Sequence, residues 1–167
     1  MELETWNMKT LVIGLGNPIL GDDGVGWKIV EKISDQLSVI SDQSSIELDC
    51  VSLGGLSLME RMIGFQRAIL VDSMETGQGP AGSVRVYKLE ELPNPSAGHS
   101  ASAHDTSLIT ALDTAKAMGL PIPESVEIVA IEAKNVYDFS EELSPAVAET
   151  VPLAAQAVIN LLNKEEP

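Results

Sequence analysis

Two adjacent carboxylates stand in a glycine-rich turn near the start of the chain, and such groups can serve in acid–base or metal chemistry. Asp22 and Asp23 lie in the segment GLGNPILGDDGVG, residues 14–26. The apolar run before it is typical of a buried parallel strand, and an amphipathic helix is predicted from near Gly24. Because open α/β sheets bind ligands in loops at the carboxyl ends of strands, this loop is the predicted place of chemistry.

Asp72 and His104 are predicted to lie at the same edge of the sheet as Asp23. Asp72 follows the apolar run AILV, residues 68–71, and His104 comes just before a helix expected to begin near Thr106. Two carboxylates and an imidazole suit nickel, zinc or iron and leave positions open for water or a substrate. Their spacing forms no local motif, so the metal site is a prediction about the three residues together.

Each carboxylate also has a purely structural interpretation. Asp22 or Asp23 is a candidate N-cap of the helix that follows. Asp72 is a candidate for a hydrogen bond to a neighbouring loop at the end of its strand. These interpretations stay open beside the metal site.

The imidazole has a competitor. His104 could cap the next helix or lie idle at the surface, but Asp105 is the better N-cap candidate and leaves His104 available for another task. His99 is the other histidine, in the stretch GHSAS, where its placement is less predictable. We therefore prefer His104 as the third ligand.

The pattern of apolar residues predicts an α/β fold with the element order β-α-β-α-β-β-α-β-α. This order is typical of a three-layer sandwich: a mostly parallel twisted sheet with one antiparallel or edge strand and helices on both faces. The segment at 46–53 is expected near the sheet edge, and 83–89 is expected to be a half-buried antiparallel or edge strand. The predicted strands cover 11–13, 46–53, 68–71, 83–89 and 126–133, the helices begin near 24 and cover 57–63, 106–118 and 144–162, and 93–102 is a loop.

Length and composition are those of a single globular domain, residues 1–167. Hydrophobic residues make up 44% of the chain, which is enough for a sizeable core. The single cysteine, Cys50, allows no internal disulfide and is expected to be a buried strand residue. The first ten residues are too polar and acidic for a signal peptide, and no run of about 18 uncharged apolar residues occurs. We expect a cytoplasmic protein with no membrane partner.

The formal charge of −15 disfavours nucleic acid as a partner, because binding to phosphates depends on lysine and arginine. A basic protein partner or a cation fits this charge better. The alternative interpretation is that the acidic excess simply keeps the protein in solution.

Four segments together closely resemble the hydrogenase maturation proteases, the endopeptidases that process the large subunit of nickel-iron hydrogenases. They are GLGNPILGDDGVG, the VDS that ends a hydrophobic strand, SAHDTSL and LSPAVAETVP, and they follow in order over nearly the whole chain. The resemblance implies that Asp23, Asp72 and His104 bind metal, since these positions match the metal-binding positions of the family.

The resemblance also implies an activity and a partner. Such enzymes remove a carboxyl-terminal extension from the hydrogenase large subunit precursor after nickel has been inserted, and the precursor's nickel is the recognition element. Asp23, Asp72 and His104 would complete the coordination of that nickel, for which cadmium or zinc could substitute in vitro. Recognition is preferred over water activation as their role, and a monomer is expected.

A second family feature is a glycine-containing segment that shapes substrate recognition. It matches SLGGLSL, which implies a substrate-binding role for Gly54 and Gly55. The usual acidic residue before these glycines is replaced here by the pair Ser52 and Leu53. The alternative is a tight turn that needs positive φ at both glycines.

Other functions fit the residues less well. No nucleophile-elbow pattern is present, and Cys50 has no basic neighbour to lower its pKa, which disfavours covalent protease chemistry. Peptidyl-tRNA hydrolases also open with GLGNP but do not continue into DDGVG. A dinucleotide fingerprint would need a third glycine where Ile19 stands. A metal-binding chaperone that docks on the precursor without cutting it stays open as the alternative.

Overall fold

The computed structural model describes residues 9–37, 45–92 and 103–164, with the main chain alone for 103–107. Five strands and four helices alternate along the chain as the periodicity predicts. The strands are β1 (Thr10–Leu15), β2 (Ile46–Val51), β3 (Arg67–Met74), β4 (Val84–Lys88) and β5 (Ser125–Glu132), and the helices are α1 (Val25–Leu37), α2 (Gly55–Met62), α3 (Ala103–Ala117) and α4 (Pro145–Leu162).

The strands form one sheet in the order β2-β1-β3-β5-β4. All neighbours are parallel except β4, which runs antiparallel to β5. The predicted mixed sheet is therefore confirmed. Segments 46–53 and 83–89 supply the two edge strands, in agreement with their alternating sequence patterns.

Side chains alternate across the sheet and build two cores. Leu11, Ile13 and Leu15 of β1 face α2 and α3, whereas Val12 faces α1 and α4. The strands β1 and β3 are buried between these layers, which explains their continuous apolar runs. Helices thus cover both faces, as predicted.

Helix α4 begins as its sequence predicts, with Ser144 as the N-cap and Pro145 at the first helical position. Its buried positions, among them Val147, Ala154 and Val158, lie on one face and join the core that α1 shares with the sheet. Among the described helices it is the one long and apolar enough to cross a membrane by length and composition, with 33% of it buried. The core helix of a globular domain passes the same test, so this property alone assigns no membrane role.

The predicted boundaries at Asp72 and His104, both candidate site residues, are wrong. Asp72 does not end its strand, because β3 continues to Met74 along its pairing with β5. Helix α3 begins at Ala103, so His104 lies inside its first turn and Asp105 is not an N-cap. Strand pairing and helix starts depend on tertiary contacts that a local pattern does not show. His99 and the whole of the predicted loop at 93–102 fall outside the described residues.

Candidate functional site at the carboxyl edge of the sheet

The segment GLGNPILGDDGVG, residues 14–26, is called the opening motif. Its glycines let helix α1 start directly against the sheet. A Cβ atom on Gly14 would lie 2.5 Å from the carbonyl oxygen of Gly26. A Cβ on Gly26 would collide with the carbonyl oxygens of Leu15 and Val71. Because only glycine tolerates such close backbone contact, the spacing of the motif brings the loop between β1 and α1 down onto the ends of two strands.

Asp23 is held in this loop by two neutral donors. Its Oδ2 accepts a hydrogen bond from the main-chain N–H of Asn17 at 2.8 Å. Its Oδ1 lies 3.3 Å from the Ser73 hydroxyl, which donates to it. Ser73 follows Asp72 on β3, so the structure brings Asp23 to the strand that carries the second predicted carboxylate. Asp23 as a whole residue is half-buried.

Asp22 has a different partner and a structural task. Its carboxylate accepts hydrogen bonds from the main-chain N–H of Ser144 at 2.7 Å and from the Ser144 hydroxyl at 2.8 Å. The sequence offered Asp22 as a candidate cap of the next helix, α1. Instead this buried side chain ties the opening motif to the start of α4, at the other end of the chain.

Asp72 is buried near the carboxyl end of β3. Strand alternation puts it on the same face as Leu70 and Met74, which pack toward α2 and α3. Ser73 faces the opposite way, toward Asp23. The two predicted carboxylates therefore reach the carboxyl edge from the two sides of one strand.

His104 is placed at the same edge by topology. Helix α3 ends at Ala117 and leads through a short link to Ser125, the first residue of β5. Since β5 is parallel to β1 and β3, the end of α3 lies near the amino edge and its start lies toward the carboxyl edge. The side chain of His104 is outside the description. Among the side chains described, no three carboxylate, thiol or imidazole groups lie together as a metal site, and the predicted trio stays a prediction.

Gly54 and Gly55 follow β2, and nearby Ser52 connects this segment to the opening motif. The Ser52 hydroxyl donates a 2.6 Å hydrogen bond to the carbonyl oxygen of Gly16. Gly54 is the N-cap of α2 with extended backbone angles, and Gly55 has φ +55°. The positive φ expected of a tight turn is thus confirmed for Gly55 and wrong for Gly54. Their substrate-binding role stays a prediction.

Cys50 is not an activated nucleophile. Burial raises the pKa of its thiol to about 11, and the nearby charges of Glu31 and Asp49 act in the same direction. A thiol with a raised pKa is protonated at neutral pH and unreactive. The structure thus supports the argument against cysteine protease chemistry.

Sequence reasoning missed the residues that fix this loop in place. The carbonyl oxygen of Asn135 accepts a hydrogen bond from the Asp22 N–H at 3.0 Å. Ser140 forms an isolated parallel bridge with Leu20. These partners lie more than one hundred residues further along the chain, and no local pattern indicates the pairing.

The fold and the site together define an open α/β domain with an acidic loop at the carboxyl edge of its sheet, where this class of protein binds its ligands. The family model of the HycI hydrogenase maturation proteases matches residues 48–161. The chain belongs to this family.

Curated relatives are similar in sequence to this chain over most of its length. The hydrogenase expression/formation protein HupD of Rhizobium leguminosarum bv. viciae is 24% identical over 92% of this chain and 74% of its own length. The hydrogenase 2 maturation protease of Escherichia coli is 24% identical over 94% of this chain and 92% of its own.

Two structures show the same fold. The hydrogenase maturating endopeptidase HybD of Escherichia coli superposes with a TM-score of 0.75 at 22% identity, over 93% of this chain and 92% of that one. The hydrogenase 2 maturation peptidase of Thaumarchaeota archaeon SCGC_AB-539-E09 superposes with a TM-score of 0.62 at 28% identity, over 94% of this chain and 99% of that one.

The family assignment confirms the predicted family and the predicted enzyme class. The chain is a peptidase of hydrogenase maturation. This favours the protease over the two alternatives that the motif left open, a chaperone without activity and a peptidyl-tRNA hydrolase.

Proposed function

We propose that this peptidase removes the carboxyl-terminal extension of a nickel-iron hydrogenase large subunit precursor after nickel has been inserted. The precursor's nickel is part of the substrate and is the feature that the enzyme recognises. Asp23, Asp72 and His104 approach this nickel and complete its coordination. Recognition is their main role, ahead of any part in activating water.

The arrangement of Asp23 is the observation that carries this proposal. Asn17 and Ser73 each occupy one of its oxygens, but an ionised carboxylate offers about four lone-pair positions. The half-buried side chain therefore has acceptor capacity left for a cation that arrives with the substrate. Its donors are neutral, so its negative charge is not cancelled by them.

An open site explains how the enzyme could act as a checkpoint. Carboxylate and imidazole ligands suit nickel, and cadmium or zinc are expected to substitute in vitro. A site that bound free metal tightly would be occupied before the precursor arrived and would lose the difference between nickel-loaded and nickel-free substrate. Weak to moderate affinity for the free ion is therefore expected.

Calorimetry with nickel and cadmium tests the ligand set. Asp23→Ala, Asp72→Ala and His104→Ala are each expected to abolish binding, while Asp113→Ala, which changes an exposed carboxylate of α3, leaves it unchanged. Circular dichroism of each variant separates ligand loss from unfolding. Retained binding in the three variants, with loss in His99→Ala instead, would show that the wrong imidazole has been chosen.

Cleavage of the precursor tests the reaction. The purified enzyme is incubated separately with nickel-loaded and nickel-free precursor. The mass of each precursor is then measured by mass spectrometry. A mass loss equal to a carboxyl-terminal peptide, confined to the nickel-loaded form, is expected. Equal cleavage of both forms would contradict nickel recognition, and binding without any cleavage would point to a chaperone role.

A monomer in the cytoplasm completes the proposal. The net charge of −15 favours mutual repulsion between copies. Light scattering coupled to size exclusion is expected to give the mass of one chain, and fractionation of the cell is expected to place the protein with the cytoplasm.

A further inference from the structure

Large apolar side chains are displayed to solvent directly beside the Asp23 loop. Tyr137 is 83% exposed, Phe139 is 85% exposed and Ile19 is 39% exposed. Tyr137 and Phe139 belong to the connection between β5 and α4, residues 134–142, which we call the aromatic loop. Such exposure contributes little to the fold, and exposed aromatic clusters are typical of interaction surfaces.

The aromatic loop is fixed to the opening motif by main-chain hydrogen bonds. The Ser140 N–H donates to the carbonyl oxygen of Ile19 at 3.0 Å, and the Gly21 N–H donates to that of Ser140 at 2.7 Å. These bonds form the parallel bridge between Leu20 and Ser140. The register of this parallel bridge sets Phe139 opposite Ile19, one residue earlier in each segment.

The same bridge connects the apolar pair to the candidate site. Leu20 accepts a 3.1 Å hydrogen bond from the Asp23 N–H through its carbonyl oxygen. Asp22 is held at the other end of the aromatic loop by the carbonyl oxygen of Asn135. The apolar side chains and the Asp23 carboxylate therefore belong to two segments that main-chain hydrogen bonds join.

Charge around the aromatic side chains specifies the chemistry of a partner. Asp138, Glu141 and Glu142 are exposed on the aromatic loop beside a single exposed base, Lys134, and the chain as a whole carries −15. An acidic partner segment would be repelled, whereas a segment that combines apolar and basic side chains would satisfy both the aromatic anchors and the surrounding carboxylates.

We propose that Ile19, Tyr137 and Phe139 form a docking surface for an apolar, basic segment of the precursor next to the bond that is cut. This inference rests on the proposed function, since it names how the substrate of that site is held. The surface binds the polypeptide, and the Asp23 region binds the metal that the polypeptide carries.

Kinetics of surface variants test the docking surface. The double variant Tyr137→Ser, Phe139→Ser is expected to raise KM for the nickel-loaded precursor about tenfold, with kcat unchanged, because aromatic anchors dominate interface energies. Met118→Ser removes an apolar side chain that is 71% exposed in the turn after α3 and is the matched control. An unchanged KM in the double variant, while wild type cleaves, would overturn the surface and leave the protease function standing.

Crosslinking identifies the occupant independently of catalysis. A benzoylphenylalanine placed at Phe139 is expected to crosslink to the precursor near its cleavage site, and the same group placed at Met118 is not. Crosslinking without cleavage by the wild type would support the surface and contradict the proposed function. Crosslinking to a second copy of this chain, or to no part of the precursor, would overturn the surface.

Discussion

The two ends of the sheet hold their carboxylates by different means. Toward the amino edge, Arg67 at the start of β3 pairs with Glu127 of β5, and Arg61 of α2 pairs with Glu47 and Asp49 of β2. Toward the carboxyl edge, three carboxylates accept hydrogen bonds from neutral groups. Asp22 is bound by Ser144, Asp23 by Asn17 and Ser73, and Glu132 by Thr76 and Gly77.

This difference separates carboxylates whose charge is neutralised from carboxylates that keep their charge. An arginine neutralises the carboxylate that it binds, whereas main-chain amides and hydroxyls position a carboxylate and leave its net charge in place. In a chain of charge −15, such groups create a negative potential at the edge where ligands bind. A cation is therefore attracted to the carboxyl edge, and the amino edge mainly holds the sheet together.

Removal of the negative charge at Asp23 tests this separation. Among the proposed variants, it is expected to have the largest effect on cleavage. Asp23→Asn keeps an oxygen for Asn17 or Ser73 but removes the negative charge, so cleavage of nickel-loaded precursor is expected to fall more than about 100-fold. Its free energy of unfolding is expected to change by less than about 1 kcal/mol. Asp113→Asn is the matched control. Full activity in Asp23→Asn would show that the charge at this edge has no catalytic consequence.

A methyl group at Gly26 tests how rigidly the opening motif must sit on the sheet. Gly26→Ala is expected to lower the free energy of unfolding by about 3 kcal/mol, since its Cβ would meet the carbonyl oxygens of Leu15 and Val71. Gly119→Ala is the control: it has φ +73° but open space around it and is expected to cost about 1 kcal/mol. Equal losses in urea denaturation would mean that the close approach at Gly26 is not required.

The sequence predicted the elements better than it predicted their long-range contacts. Helices and strands follow from apolar periodicity, which is local, so all nine predicted elements appear in the predicted order. The end of β3 was misplaced at Asp72 because the pairing that extends this strand lies on β5. The predicted start of α3 near Thr106 differs from the observed start at Ala103, because a sequence pattern defines the end of a helix less well than its middle.

The candidate site shows the same limit. The position of Asp23 in a loop at the carboxyl edge follows from the order strand, glycine turn, helix. The partner of Asp22 does not, because Ser144 is distant in sequence and nothing in the local pattern indicates their contact. The contact of Ser73 with Asp23 is likewise not predictable from the sequence. A serine beside an aspartate indicates no partner until the position of the loop between β1 and α1 is known.

Asp22 and Asp23 are adjacent at the carboxyl edge, so variants of the two can be compared directly. Asp22→Asn weakens two hydrogen bonds to a charged acceptor, so a loss of about 2 kcal/mol in the free energy of unfolding is expected. Cleavage measured below the unfolding transition is expected to stay within about threefold of wild type. Ser144→Ala, which keeps the main-chain bond and loses the hydroxyl, should show about half of this loss in stability. If Asp22→Asn instead lost activity while keeping its stability, Asp22 would belong to the chemistry.

Removal of an arginine at the amino edge has the smallest expected effect. The Arg61 pairs with Glu47 and Asp49 are partly exposed, so Arg61→Met is expected to cost less than about 1 kcal/mol, and less again in high salt. Lys28→Met, which removes a longer exposed pair with Glu31, is the control and should change nothing measurable. Urea denaturation at low and high salt provides the measurement. A large loss that salt does not reduce would mean that these pairs are essential to the sheet. A small, salt-sensitive loss with full cleavage activity is the expected result, because these charges are partly exposed and lie away from the edge that meets the substrate.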